Sequence, residues 1–100
     1  MRVTVKIEGG LAHFPGLAKA KTADTERLAP EASDRLRELV ASADFFQLPN
    51  AMPAPQGSAD LRTYTVSVEG EPRTHRVSAV ETMLRPSLRA LVEFVRANGS

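Results

Sequence analysis

Residues 2–8 alternate strictly between polar and apolar side chains, so that two valines and one isoleucine share one face of an extended chain. Strict alternation that is rich in β-branched residues is typical of a strand with one buried face. Segments 61–69 and 72–80 alternate in the same way. A sheet made of such strands needs a second layer over its apolar face, and the rest of the chain must supply that layer.

Segment 18–25 is a weaker strand candidate, in which alanine and threonine alternate with lysine. Lysine on an edge strand discourages pairing with a second chain, so we place this segment at an edge of the sheet. Two turns containing glycine complete the strands: Gly9-Gly10 closes the first, and Gly70-Glu71 joins the last two. Glycine suits both turns because it adopts positive φ without a steric penalty.

Two further segments, 30–43 and 86–97, carry the period of an amphipathic helix, with apolar residues at i, i+4, i+7, i+8 and i+11. Each has a proline in its first turn, where a missing N–H costs nothing, and Gly99 is placed as the C-terminal cap of the second. The apolar stripes are Ala32, Leu36, Leu39, Val40 and Ala43, and Leu84, Leu88, Leu91, Val92 and Val95. The order ββαββα predicts an α+β fold, a four-stranded antiparallel sheet with two helices packed on one face.

Composition disfavours several classes of partner. A chain of 100 residues is long enough for one domain, 1–100. Its 13 Lys and Arg nearly balance its 12 Asp and Glu, which disfavours binding to nucleic acid by charge. The absence of cysteine removes disulfides and thiolate metal sites and fits a reducing compartment, so we expect a cytoplasmic location. The apolar runs are far shorter than the roughly 18 residues that span a bilayer, so we expect no membrane contact.

The sequence does not assemble a catalytic or metal-binding constellation. His13 and His75 lack the spacing of a zinc motif, and packing roles are favoured for both. Asp44 and Asp60 flank the segment between the first helix and the third strand, where an acid–base pair is the alternative to the commoner turn and capping roles. We therefore expect no enzyme activity and no cofactor.

The segment after the first helix is predicted to form a shaped loop. Phe45, Phe46 and Leu48 are expected to fill the core where the chain leaves the helix. Residues 49–60 then contain three prolines and one glycine, which exclude both a helix and a central strand. A loop that proline has stiffened loses less conformational entropy when it binds, so a binding role is favoured.

Several short segments, taken together in their order and spacing, carry a resemblance to a known family. In chain order they are Glu8-Gly9-Gly10, Phe14-Pro15-Gly16-Leu17, Ala43-Asp44-Phe45-Phe46 with Leu48-Pro49, Pro53-Ala54-Pro55 with Gly57-Ser58-Ala59-Asp60, Tyr64-Thr65-Val66, and Leu88-Arg89-Ala90-Leu91-Val92. The chain resembles the emfourin family, small proteins related to the protealysin inhibitor emfourin, over nearly its whole length.

The resemblance implies a single emfourin-like domain that inhibits thermolysin-like zinc metallopeptidases, typically in bacteria. The partner would be the peptidase, and preorganised loops would occlude its active-site cleft. We place the inhibitory contact on the 50–60 loop and the adjoining glycine turn, with Met52 or Leu11 as the apolar contact and Asp60 or Gln56 as the polar one. The predicted contact residues are Gly9, Gly10, Leu11, Asn50, Met52, Gln56, Gly57, Ser58 and Asp60. No side chain is assigned to the zinc of the peptidase.

Other interpretations stay open at the level of sequence. A non-inhibitory protein-interaction module of the same fold would keep the same loops, and the 50–60 loop could merely cover the end of the sheet. A small enzyme is a third reading, but it would need a cluster of titratable groups. We expect a monomer rather than an oligomer.

Overall fold

The computed structural model describes residues 1–9, 20–52, 61–70 and 73–100. Two short 3₁₀ turns, Phe45–Gln47 and Glu81–Met83, follow the first helix and the last strand. The main elements are β1 (Arg2–Gly9), β2 (Lys21–Asp24), α1 (Pro30–Ser42), β3 (Arg62–Glu69), β4 (His75–Val80) and α2 (Pro86–Asn98). The predicted order ββαββα and the α+β fold are confirmed.

The four strands form one antiparallel sheet in the order β2-β1-β3-β4. Val66 lies opposite Val5 on one side and Val77 on the other, and Val3 lies opposite Val68. All five valines are almost fully buried, so the alternation in the sequence marks the covered face correctly. Of the strand predicted over 18–25, residues 18 and 19 lie outside the described residues, and β2 comprises Lys21–Asp24 and lies at an edge as expected.

The two helices cover the apolar face of the sheet. They pack against each other, and α2 also contacts β1 and β2. All members of the two predicted stripes are buried except Ala32, which is half-buried. Apolar burial of this kind stabilises a fold by roughly 25 cal/mol per Å², so the stripes define the main core.

Helix α1 ends because the chain turns into the left-handed region at Asp44, where φ is 50° and ψ is 45°. Aspartate tolerates this conformation better than most residues do. The reversal directs Phe45 and Leu48 into the core, with Phe46 half-buried beside them. The expected filling of the core is therefore confirmed, whereas the 3₁₀ turn that delivers it was not predicted.

Gly99 caps α2, but not through the positive φ that a glycine cap commonly adopts. Its backbone is extended, with φ −83° and ψ 173°, and its N–H donates to the carbonyl of Val95 at 2.7 Å. A Cβ here would lie 2.6 Å from that carbonyl oxygen and 2.8 Å from the carbonyl oxygen of Thr22. Glycine is needed for close approach to the edge of β2, where Ser100 and Thr22 exchange two backbone hydrogen bonds.

The prediction of a strand over 72–80 is wrong at its start, because β4 begins at His75. The pairing of β3 with β4 ends at Val68 and His75, so Arg73 lies before the ladder, and its guanidinium donates to the carbonyl of Phe46 at 3.3 Å. Each of the two predicted glycine turns includes a residue outside the described part of the chain, Gly10 in the first and Glu71 in the second.

Candidate functional site

Three strand termini meet at one end of the sheet, which we call the loop end. Here β1 finishes at Gly9 and β4 at Val80, while β3 begins at Arg62. The edge strand β2 begins lower on the sheet, at Lys21, which is paired with Val5. Antiparallel pairing forces this arrangement, since neighbouring strands run in opposite directions. The described residues on both sides of 10–19, and those that follow 53–60, therefore lie at the loop end or lead to it.

Gly9 lies directly beside the start of β3. Its Cα is paired with that of Arg62 in the register of β1 and β3. Leu61 precedes Arg62 and is half-buried. The tertiary structure thus brings one predicted contact residue next to the point where the chain returns from 53–60.

The other side of 53–60 is held on the outer edge of β4. Residues 48–52, which we call the anchor segment, run parallel to β4, and Ala51 is bridged to Ser78. The Met52 N–H donates to the Ser78 carbonyl at 2.9 Å, and the Ser78 N–H donates to the Asn50 carbonyl at 2.8 Å. The sequence predicted one loop over 49–60, but its first residues are tied to the sheet.

Two side chains add hydrogen bonds to the anchor segment. The Asn50 Nδ2 donates to the Arg76 carbonyl at 3.2 Å. The His75 Nε2 lies 2.7 Å from the Leu48 carbonyl oxygen, which can only accept, so Nε2 carries the proton and donates. The His75 ring also packs edge-on against Phe45, with ring centroids 5.5 Å apart.

Sequence reasoning missed the link between His75 and the anchor segment. The predicted packing role of His75 agrees with its ring contacts, but its hydrogen-bond partner was not foreseen. One signal was present: this histidine shares a strand face with Val77 and Ala79, which are buried, and a polar group on such a face needs a partner. The identity of that partner could not be read from the sequence.

The predicted contact residues divide into two groups. Asn50 is exposed but its amide is engaged within the chain, whereas Met52 is half-buried and packs against the core, and Gly9 ends β1. The remaining predicted contacts, Gly10, Leu11, Gln56, Gly57, Ser58 and Asp60, lie outside the described residues. Contact of any of these residues with a peptidase stays a prediction.

Both edges of the sheet are partly occupied by the chain itself. The anchor segment lies along β4, and Ser100 pairs with Thr22 on the outer edge of β2. Edge strands are the usual place where a partner adds a strand of its own. Such addition here would have to displace these segments.

Asp24 lies at the opposite end of the sheet from the loop end. The Glu26 N–H donates to its carboxylate at 2.9 Å and lowers its pKa; burial opposes this effect, and Arg2, 3.7 Å away, adds to it. Within the described ranges, no three His, Asp or Glu side chains come together to hold a metal. Neither described helix is long and apolar enough to cross a membrane.

Comparisons with known proteins point to one family and one fold. A family model described as Emfourin matches residues 5–96. No curated protein matches the sequence. Among solved structures, the chain is similar to "Emfourin (M4in) from Serratia proteamaculans, M4 family peptidase inhibitor", with 21% identity and a TM-score of 0.51. The match covers 99% of this chain and 89% of that chain, and it shows a shared fold.

Proposed function

The chain belongs to the emfourin family, and on this premise we propose that it inhibits thermolysin-like zinc metallopeptidases by occluding their active-site cleft. Members of this family are peptidase inhibitors and not enzymes, which confirms the prediction that the chain is not an enzyme. The observation that carries the proposal is the family match over 5–96, a range that includes 10–19 and 53–60. The solved relative with the same fold is itself described as an M4 family peptidase inhibitor.

The geometry of the loop end supports occlusion of a cleft. Segment 10–19 follows the end of β1 and segment 53–60 leads to the start of β3, and Gly9 and Arg62 are paired at the loop end. This shared origin supports contact of both segments with one partner. The occupied sheet edges favour contact through this end over strand addition. A standard interface of about 800 Å² per partner is within reach of a domain of this size.

An inhibitor of a peptidase must bind the cleft without becoming a substrate. Hydrolysis needs a flexible, extended segment, and both flanks of 53–60 are held: the anchor segment on β4, and Arg62 in β3. Fixed flanks also reduce the entropy lost on binding. The apolar contact with the peptidase would come from Met52 or Leu11, and the polar contact from Asp60 or Gln56. No side chain is assigned to the zinc. A cytoplasmic location and a monomeric state stay predictions.

The experiment is a titration of the purified domain into thermolysin and into other M4 peptidases, with hydrolysis of a small peptide as the readout. We expect saturable inhibition at or below micromolar domain, and none of a serine peptidase assayed in parallel. Full peptidase activity at micromolar domain across the panel would contradict the proposal. Binding without inhibition would instead identify a non-inhibitory interaction module.

A further inference from the structure

We propose that Asn50 and His75 are positioning residues, which hold the anchor segment on β4 and so fix the direction in which the chain enters 53–60. This inference rests on the proposed function, since it assigns the two side chains a part in inhibition. It also changes the role predicted for Asn50, from a contact with the peptidase to a support for the residues that make contact.

The hydrogen bonds follow the pattern of a parallel strand ladder. Around Ala51, the ladder uses the backbone alone, through the carbonyl and the N–H of Ser78. One step earlier, a regular parallel ladder would use the carbonyls of Leu48 and Arg76 as its two acceptors. These are the acceptors that the structure employs, but their donors are the His75 Nε2 and the Asn50 Nδ2.

The two side-chain donors therefore extend the ladder between the anchor segment and β4 beyond the single bridge of Ala51 to Ser78. The residue in the middle of the second step is Pro49, whose fixed φ departs from that of a regular parallel strand. Without His75 and Asn50, the two bonds around Ala51 would be the hydrogen bonds left between the anchor segment and β4, beside the packing of Leu48 and Met52 on the core. A single bridge leaves little to oppose local opening.

His75 and Asn50 differ in how much each contributes to the stability of the folded domain. His75 is half-buried and its ring is held by Phe45 and Phe46, with centroids 5.5 and 6.2 Å away. Asn50 is exposed, so its hydrogen bond contributes little to the core. Replacement of Asn50 is thus expected to loosen the anchor segment while the domain stays folded.

The first test compares Asn50→Ala with Asn98→Ala. Asn98 is a matched control because it is also exposed and donates from Nδ2 to a backbone carbonyl, that of Phe94, at 2.9 Å, but on α2. We expect Asn50→Ala to raise the inhibition constant about threefold to tenfold, the range that corresponds to one net hydrogen bond, and Asn98→Ala to leave it unchanged. The peptidase should also cleave Asn50→Ala within 53–60 faster than it cleaves the wild type, at equal thermal stability.

The second test uses the histidine. His75→Leu removes the donor, whereas His75→Gln keeps an N–H donor of similar reach. We expect weaker inhibition for His75→Leu and recovery in His75→Gln. Equal weakening in both variants would show that the ring's packing matters and its hydrogen bond does not, which would overturn the role proposed for Nε2.

A structural readout separates this inference from the proposed function. In Asn50→Ala, the amide protons of Met52 and Ser78 should exchange with solvent faster, while that of Val66 in the core keeps its rate. If the wild type inhibits and Asn50→Ala matches it in inhibition and cleavage, the inference fails and the proposed function stands. If the wild type does not inhibit, the proposed function fails. The anchoring is then judged by exchange alone: faster exchange supports it and unchanged exchange overturns it.

Discussion

The Ser33 hydroxyl donates a 2.6 Å hydrogen bond to the backbone carbonyl of Thr25, which joins the first turn of α1 to the end of β2. Both residues are buried, with 4% and 8% of their surface exposed. Ser33→Ala would leave the Thr25 carbonyl without this donor, and we expect the free energy of unfolding to fall by about 1–2 kcal/mol. Urea denaturation measures this change. Ser42→Ala, at an exposed position of the same helix, is the control and should stay within about 0.5 kcal/mol of wild type.

The left-handed backbone of Asp44 is sterically unfavourable for aspartate, whereas glycine adopts it without this cost. We expect Asp44→Gly to stabilise the protein by about 0.5–1 kcal/mol, with a rise in melting temperature of several degrees. Asp34→Gly is the matched control, since it places glycine in the interior of α1 and should destabilise by a few tenths of a kcal/mol. A fall in melting temperature for Asp44→Gly would show that the aspartate side chain stabilises this turn by more than its backbone costs.

Gly99→Ala should be destabilising even though φ at this position suits any residue. The new Cβ would lie 2.6 Å from the Val95 oxygen, so the backbone must move and the pairing of Ser100 with Thr22 weakens. A loss of about 1–3 kcal/mol is expected from forced overpacking, measured by thermal unfolding. At Gly70 the corresponding Cβ would meet its nearest atom, Met1 Cα, at 3.4 Å, so Gly70→Ala is the control and should cost less.

Asp24 makes the free energy of unfolding depend on pH in the acidic range. Its pKa is lowered in the folded state, chiefly by the Glu26 N–H and further by Arg2, so folding favours the charged carboxylate. The contribution is complete above the ordinary pKa of 3.8 and is lost as the pH falls through the lower value of the folded state. As the pH is lowered below 3.8, we expect the urea midpoint of Asp24→Asn to fall less than that of the wild type. Parallel profiles for the two proteins would contradict the assignment.

Met52→Ala tests the proposed apolar contact. We expect inhibition to weaken about tenfold, since truncating an apolar side chain at the centre of an interface costs more than 1 kcal/mol. Met52 is half-buried against the core, so the variant will also lose some stability, and inhibition should be measured well below its melting temperature. Leu28→Ala is the control, because Leu28 is likewise half-buried against the core but follows β2 at the end opposite the loop end. Equal inhibition by both variants and the wild type would remove Met52 from the contact.

Much of the fold could be predicted because periodicity is local. Val3 and Val5 alternate with polar neighbours, and Leu88 and Leu91 recur with the period of a helix, whatever they eventually pack against. Helix α1 ends within one residue of the predicted position for a similarly local reason, since its apolar stripe stops at Ala43. The family resemblance likewise depends on segments that can be recognised in the sequence alone.

Placement of the candidate site depended on contacts that no local pattern encodes. His75 and Leu48 are 27 positions apart, and Asn50 and Arg76 are 26 apart, so their hydrogen bonds exist only after β4 has taken its place at the edge of the sheet. The extended backbone at Gly99 has the same origin, since Thr22 is brought to it by packing of α2 on β2. The sequence by itself determined the elements and the face that each one buries, because one strand or helix is enough to express a period. Tertiary structure decided which segments meet at the loop end and what holds them there, because those bonds join residues that the chain separates.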